Sequence, residues 1–335
     1  MTENVPCCRG LPDFPGYLCS CEHCGNLKIV RQHWVPESYL KAWCDTNSTG
    51  QQDPYVWLFT KDGSEVRRRA PRNLFRESNM YAFTDENGNL NQSIETGLSR
   101  LEDQFKRLRQ DKIMGCAHLT DEDKATLCLF VATAHFRTRR SRDHWQRQWG
   151  EVVHLGDGMQ RHLDGLTAEQ KASLEFSAVP SSSAGISLDE IRPLVQQPLL
   201  LLPLVTNREA CWLSDMTITI LCASDECGFI TSDAPVVWFD PELHKMPPFY
   251  RSLALGSPTI EVTMPIAPSR LVLFTHGRVS EGYFPVVTSL ECGVAVIDDL
   301  NRRARFHCDS HFVASSDRKK AIWFDPGSPP PGWHS

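Results

Sequence analysis

The run Met216-Thr-Ile-Thr-Ile-Leu-Cys222 decides the fold class of this 335-residue chain. Its threonines alternate with larger apolar residues, which is typical of a β-strand with one more deeply buried face. Further strands are predicted downstream, in the segments 228–232, 259–264 and 270–275. The sheet is therefore expected at about 210–280, followed by a closing helix at about 291–307.

A helical region precedes this sheet. From Ser93 to Arg109 apolar residues recur every three or four positions, which predicts an amphipathic helix. Thr120-Asp-Glu-Asp123 is a capping signal for a second helix, which we expect to run to about Trp149. With helices expected over about 92–205, the chain is predicted to be an α+β protein, a helical middle region packed on a mainly antiparallel sheet.

The domain organisation follows from composition along the chain. Residues 1–30 are rich in Cys, Pro and Gly and form a Cys-rich N-terminal extension. We expect a single α+β domain over 31–315 and a tail over 316–335, where Pro and Gly are frequent.

The overall charge limits the classes of function. The chain has 35 Lys+Arg and 41 Asp+Glu, a net charge of -6, which excludes a wholly basic nucleic-acid coat but allows local basic patches. No apolar run reaches the roughly 18–20 residues of a membrane span, and the first residues lack the features of a secretory signal. We therefore expect no membrane partner and a cytoplasmic location.

The cysteines cluster near the N-terminus. Six of the thirteen fall in the first 44 residues, and in a reducing compartment such a cluster indicates a metal site more often than disulfides. Cys21-x-x-Cys24 has the spacing of a zinc knuckle. The other two zinc ligands would come from Cys7 or Cys8, Cys19, His23 or His33. We take Cys8, Cys19, Cys21 and Cys24 as the candidate structural zinc site, the alternative being a tail with free thiols.

His33 precedes a short helix that begins near Pro36. This arrangement has a likeness to the HNH nucleases, in which a histidine general base precedes a Pro-led helix. The sequence departs from that pattern because the histidine of the third position is missing and the next histidine is His118. The alternative is that His33 makes structural hydrogen bonds in a buried turn.

Arg137 is expected on the inward face of the second helix. It lies at helical spacing from the apolar residues Leu127, Phe130 and Ala134. A buried guanidinium is costly unless carboxylates pair with it. Glu95 and Glu102 share one side of the preceding helix, and Asp233 follows a strand, so we predict that at least one of these three carboxylates pairs with Arg137.

Two interpretations of this cluster are open. In one, it is a polar core network that fixes how the helices meet the sheet. In the other, Glu95, Glu102 and Asp233 bind a divalent cation such as Mg²⁺ or Mn²⁺, and Arg137 neutralises a scissile phosphate.

Arginines continue along the predicted second helix. Arg139, Arg140 and Arg142 lie close to Trp145, and such a helix could follow a phosphate backbone while the aromatic ring stacks on bases. The alternative is a solvated helix surface without a ligand.

Several motifs resemble one known family. These are Arg31-Gln-His-Trp-Val-Pro-Glu-Ser-Tyr-Leu-Lys-Ala-Trp43, Phe136-Arg-Thr-Arg139 and Phe229-Ile-Thr-Ser-Asp-Ala-Pro-Val236, with Tyr81 and Asn301 in the expected order. Over about 31–315 the chain resembles the bacterial family catalogued as domain of unknown function 4238. The resemblance implies no activity, because none is established for the family.

Two functions of different classes remain. The first is a metal-dependent phosphodiesterase or nuclease, such as a defence or toxin effector, that uses His33, Glu95, Glu102, Arg137 and Asp233. The second is a non-catalytic nucleic-acid-binding or protein-interaction module with a structural zinc site. Clustering of the five residues in an open pocket would favour the enzyme.

Overall fold

The computed structural model describes most of the chain between residues 31 and 325. The described residues are 31–48, 50, 52–78, 80–81, 83–84, 90–91, 93–177, 187–277 and 287–325. The predicted zinc ligands Cys8, Cys19, Cys21 and Cys24 lie outside them.

Eight α-helices lie in this part of the chain. They are α1 (Glu37–Leu40), α2 (Ser93–Leu108), α3 (Asp121–Phe136), α4 (Arg139–Asp164), α5 (Ala168–Ser177), α6 (Leu188–Gln196), α7 (Leu202–Ser214) and α8 (Val294–His307). The Thr120 hydroxyl accepts from the Asp123 N–H at 3.3 Å, and the Asp123 carboxylate accepts from the Thr120 N–H at 2.7 Å, so a capping box opens α3 as predicted. None of the described helices has both the length and the apolarity to cross a bilayer.

The predicted second helix is in fact two helices. α3 ends at Phe136 and α4 begins at Arg139. Thr138 has extended backbone angles, and its hydroxyl accepts from the N–H of Ser141 at 3.2 Å, which makes it the N-cap of α4. Arg137 therefore lies in the corner between the two helices rather than on one continuous helical face.

Thirteen strands are described. They are β1 (Arg31–His33), β2 (Val56–Thr60), β3 (Val66–Arg69), β4 (Arg76–Ser78), β5 (Phe83–Thr84), β6 (Leu90–Asn91), β7 (Thr217–Ala223), β8 (Thr231–Ser232), β9 (Val237–Phe239), β10 (Glu261–Ala267), β11 (Arg270–Thr275), β12 (Val287–Cys292) and β13 (His311–Ala314). They form a five-stranded sheet in the order β12-β7-β11-β10-β9, a four-stranded sheet in the order β3-β2-β13-β8, and the pairs β1-β4 and β5-β6.

The five-stranded sheet contains the strand that the alternating threonines predicted. In β7, Ile218 and Ile220 are buried while Thr217 and Thr219 are half-buried. β12 runs parallel to β7, whereas β9, β10 and β11 pair antiparallel. The chain is thus an α+β protein with mainly antiparallel pairing.

Helix α1 is anchored to both larger sheets by buried aromatic residues. The Tyr39 hydroxyl donates to the carbonyl of Pro265 in β10 at 2.7 Å and lies 2.7 Å from the Thr231 hydroxyl in β8. The Trp43 indole N–H donates to the carbonyl of Phe229 at 2.8 Å. Because buried polar groups need such partners, these bonds fix α1 and the His33 that precedes it.

Candidate active site

A polar cleft of about 290 Å³ opens where β1 and α1 meet α2 and the end of α3. Its lining residues are His33, Glu37, Ser38, Lys41, Glu95, Glu102 and Arg137. Four of the five predicted catalytic residues therefore line one cleft, although up to 104 positions separate them in the sequence.

Arg137 lies at the base of the cleft with its side chain only 3% exposed. It donates from Nη1 to Glu102 Oε1 at 2.8 Å, from Nε to the Tyr81 hydroxyl at 3.2 Å and from Nη2 to the carbonyl of His33. Burial opposes the charged guanidinium, but electrostatic interactions and hydrogen bonds with Tyr81 and Glu102 outweigh it and raise the pKa of Arg137. The predicted pairing of Arg137 with a carboxylate is confirmed.

Tyr81 completes this network, although no pattern in the sequence indicates that it contacts Arg137. Its ring is buried below the Arg137 guanidinium, 5.4 Å from ring centre to Cζ, and burial raises the pKa of its hydroxyl. The hydroxyl lies within donating distance of the carbonyls of His33 (3.3 Å) and Arg137 (3.4 Å). Its backbone N–H donates to the Gln32 side chain at 2.7 Å. Tyr81 thus ties β1 to the corner between α3 and α4.

His33 is the last residue of β1, and pairing with Arg76 of β4 fixes its backbone. Its Nε2 lies 3.3 Å from the carbonyl of Arg72. A carbonyl only accepts, so this bond requires the proton on Nε2 and leaves Nδ1 as the basic nitrogen. Burial lowers the pKa of His33, which keeps the imidazole neutral near pH 7.

Glu95 faces the same cleft from the first turn of α2. Burial raises the pKa of its carboxyl, and the nearby charge of Glu102 raises it further, while Arg137 opposes the shift. Glu95 therefore keeps its proton to a higher pH than an exposed glutamate does. The cleft therefore combines a histidine whose pKa is lowered with a glutamate whose pKa is raised.

Lys41, Glu37 and Ser38 line the cleft from α1 and its end and were missed in the sequence. Lys41 Nζ pairs with Glu37 Oε1 at 2.8 Å, and its side chain is 56% exposed. The signal available was their spacing: Glu37 and Lys41 are four apart and follow His33 directly into the predicted helix.

Asp233 is not brought to the cleft, which corrects the predicted set. Its carboxylate accepts from the backbone N–H groups of Asp309 (2.8 Å), Ser310 (2.7 Å) and His311 (3.0 Å), and from the Ser310 hydroxyl (2.8 Å). These bonds engage both carboxylate oxygens and fix the turn that begins β13. Asp233 therefore does not join Glu95 and Glu102 in a cation site.

The donor set of the cleft provides few ligands for a metal ion. Across the residues that the structure describes, no group of three or more His, Cys, Asp or Glu could hold one. Glu102 is engaged by Arg137, whose fixed charge repels a cation. A divalent cation at Glu95 and Glu102 would therefore need water or substrate oxygens to complete its coordination.

A second cavity of about 270 Å³ is lined by two exposed arginines at the start of α4. Its lining includes Trp34, Thr138, Arg139, Arg140, Asp233 and His311. The Arg139 side chain is 56% exposed and 3.7 Å from Glu77, and Arg140 is exposed without an ion-pair partner in the described part of the chain. Because Trp34 follows His33 and Thr138 follows Arg137, the two cavities are lined by neighbouring residues.

Arg142 and Trp145 are held by other parts of the protein. Arg142 is only 19% exposed and pairs with Glu77 at 2.5 Å and Asp143 at 2.9 Å. The Trp145 ring is half-buried and stacks on Trp149, with ring centres 6.4 Å apart. Of the four predicted nucleic-acid contacts, Arg139 and Arg140 are the exposed ones.

A family model for a protein of unknown function, DUF4238, matches residues 31–319. The chain belongs to the DUF4238 family. No curated protein and no solved structure matches it.

Other landmarks of this DUF4238 chain have structural roles. Asn301 in α8 accepts from the N–H of Ile230 at 2.9 Å and donates to the carbonyl of Gly228 at 2.8 Å. Asp233 fixes the turn before β13. His33 and Arg137 are the landmarks that line the polar cleft, so the cleft is where a function of this DUF4238 protein is best sought.

Proposed function

We propose that the cleft hydrolyses phosphodiester bonds in a nucleic acid. The observation that carries the proposal is that His33, Glu95, Glu102 and Arg137 line one open polar cleft. Burial lowers the pKa of His33 and raises that of Glu95, and these directions favour a neutral imidazole as the base and a protonated carboxyl as the acid.

His33 and Glu95 are assigned the proton transfers. Nδ1 of neutral His33 takes a proton from the attacking water, whose oxygen forms the new bond to phosphorus. Glu95 gives its proton to the leaving oxygen as the P–O bond breaks. The products are a phosphomonoester and an alcohol, and the proton on His33 then returns through solvent to Glu95.

The two cations of the cleft have different roles in this proposal. Arg137 has donors engaged by Glu102, Tyr81 and the His33 carbonyl and is almost fully buried. It is therefore a positioning residue that holds His33 and Glu102 in place. Lys41 is exposed at the rim, so its ammonium group can approach a phosphate from solvent.

A divalent cation, Mg²⁺ or Mn²⁺, would add a second route to the same reaction. Glu95 and Glu102 would be its protein ligands, with the remaining positions taken by water and phosphate oxygens. When bound, it would neutralise charge that develops on the phosphate.

Nucleic-acid binding without cleavage is the second candidate function. It is supported by the exposed Arg139 and Arg140, which line a cavity together with Trp34. Cations beside an aromatic ring suit a phosphate backbone and a stacked base. A structural zinc site at Cys8, Cys19, Cys21 and Cys24 belongs to this proposal as well.

The test is cleavage of end-labelled single-stranded RNA, single-stranded DNA and duplex DNA by the full chain, in chelator and in Mn²⁺. His33→Asn is compared with Glu261→Gln, because Glu261 in β10 pairs with Arg303 in α8 at 2.5 Å, outside the cleft. We expect cleavage, a loss of at least about 100-fold in His33→Asn and an unchanged rate in the control. Salt-sensitive binding without cleavage in every condition would establish the second function instead.

A further inference from the structure

Two thiols from distant parts of the sequence are in contact outside the cleft. Cys116 follows the helical turn at 109–113, and Cys222 lies in β7, 106 positions later. Their Sγ atoms are 3.7 Å apart. Cys116 is exposed and Cys222 is half-buried, so solvent reaches the pair from the side of Cys116.

The loop that carries Cys116 is held in an unusual conformation. Cys116 has a φ of 51°, a region that residues other than glycine rarely adopt. Its N–H donates to the carbonyl of Ile113 at 3.1 Å, and Arg270 Nη2 donates to the carbonyl of Met114 at 3.0 Å. These bonds support the strained residue and keep its thiol against Cys222.

The surroundings of the two sulfur atoms differ. A hydrogen bond with Ser289, and then Cys222 and Arg270, lower the pKa of the Cys116 thiol against a smaller opposing effect of burial. Burial raises the pKa of Cys222. Cys116 is therefore the better nucleophile of the pair, and Cys222 is placed to react second.

We propose that Cys116 and Cys222 form a redox site that peroxides oxidise reversibly to a disulfide. The Cys116 thiolate attacks one oxygen of hydrogen peroxide, the O–O bond breaks, and Cys116 becomes a sulfenic acid. The other oxygen leaves as hydroxide and takes up a proton to become water. Cys222 then attacks the Cys116 sulfur, the S–S bond forms, and the S–O bond breaks with release of water. The two thiols lose two electrons and two protons in total, and the peroxide is reduced.

The test is peptide mapping of the full chain after treatment with one equivalent of hydrogen peroxide. Trypsin cuts out residues 113–124 with Cys116, and residues 209–245 with Cys211, Cys222 and Cys227. We expect a cross-link between these two peptides that dithiothreitol reverses. Cys222→Ser should abolish it, and Cys211→Ser, which changes an exposed thiol of the same peptide, should retain it.

A second test uses only the wild-type chain, so its outcome does not depend on whether a variant folds. Brief alkylation of the wild-type chain should modify Cys116 first, and peroxide should then give no cross-link. A cross-link that survives in Cys222→Ser, or peroxide-treated wild-type chain in which Cys116 and Cys222 both stay alkylatable, would overturn the proposal.

Discussion

Replacing Arg137 with methionine removes the cation at the base of the cleft while keeping much of the side-chain volume. Glu102, only 23% exposed, loses its partner at 2.8 Å, and the Tyr81 hydroxyl and His33 carbonyl each lose a charged donor. Removal of one partner from a buried ion pair costs about 3–5 kcal/mol. Because water reaches part of Glu102, we expect the lower end, about 3 kcal/mol.

The assay is urea unfolding at pH 7 followed by tryptophan fluorescence, with a thermal melt alongside. With an unfolding entropy of about 2.1 cal/mol/K per residue, a loss of about 3 kcal/mol corresponds to a fall in Tm of roughly 4–5 °C for a chain of this size. Arg139→Met is the matched control, because that side chain is 56% exposed and 3.7 Å from Glu77. We expect it to change the free energy of unfolding by less than about 0.5 kcal/mol.

A double-mutant cycle separates the ion pair from the other contacts of Arg137. In Arg137→Met with Glu102→Gln, no uncompensated carboxylate remains, so part of the lost stability should return, with a coupling energy of about 2 kcal/mol. If Arg137→Met unfolds at the same urea concentration as Arg139→Met, Arg137 does not hold the cleft together.

Three further predictions concern stability. Tyr81→Phe should lower the free energy of unfolding by about 1–2 kcal/mol in urea, because Arg137 Nε loses its acceptor; wild-type stability would contradict this. Burial, then the charges of Arg140, Lys61 and Arg303, lower the pKa of His307 from about 6.5 to about 4. The unfolded chain therefore takes up the proton at a higher pH than the folded protein, so the free energy of unfolding is highest above pH 6.5 and decreases as the pH falls towards 4. That decrease is about 3 kcal/mol in the wild-type chain, and a His307→Gln variant with the same pH dependence of unfolding would disprove it. Gly228→Ala should lower Tm by several degrees in calorimetry, since φ is 60° and an added Cβ would lie 2.1 Å from the Pro268 carbonyl oxygen; an unchanged Tm would rule the clash out.

The parts of the fold that local signals encode could be predicted from the sequence. The alternation at Met216–Cys222 and the periodicity at Ser93–Arg109 correspond to β7 and α2. Both patterns reflect which residues face the core, and neighbouring residues carry that information. The break at Thr138 has a local signal as well, because threonine can cap the start of a helix. The residues on both sides of it suit a helix, so the sequence pattern predicts one continuous helix.

The composition of the cleft could be predicted only in part. The cost of a buried guanidinium predicted a carboxylate beside Arg137, and Glu102 is that partner. Asp233 was assigned to the same site because it follows a strand, yet its partners are backbone N–H groups of residues 309–311. Those partners are more than 70 positions away and have no side-chain pattern, so they leave no trace in the sequence.

If Glu95 supplies the proton in the cleft, as proposed, replacing its carboxyl with an amide should stop cleavage without unfolding the protein. The most direct measurement is the single-turnover cleavage rate of Glu95→Gln, determined beside the rate and Tm of Glu261→Gln on a substrate that the wild-type chain cuts. We expect a loss of at least about 100-fold in Glu95→Gln, with a Tm close to that of the wild-type chain, because glutamine keeps the shape of the side chain but its amide is not an acid. Cleavage by Glu95→Gln at the wild-type rate would contradict the account.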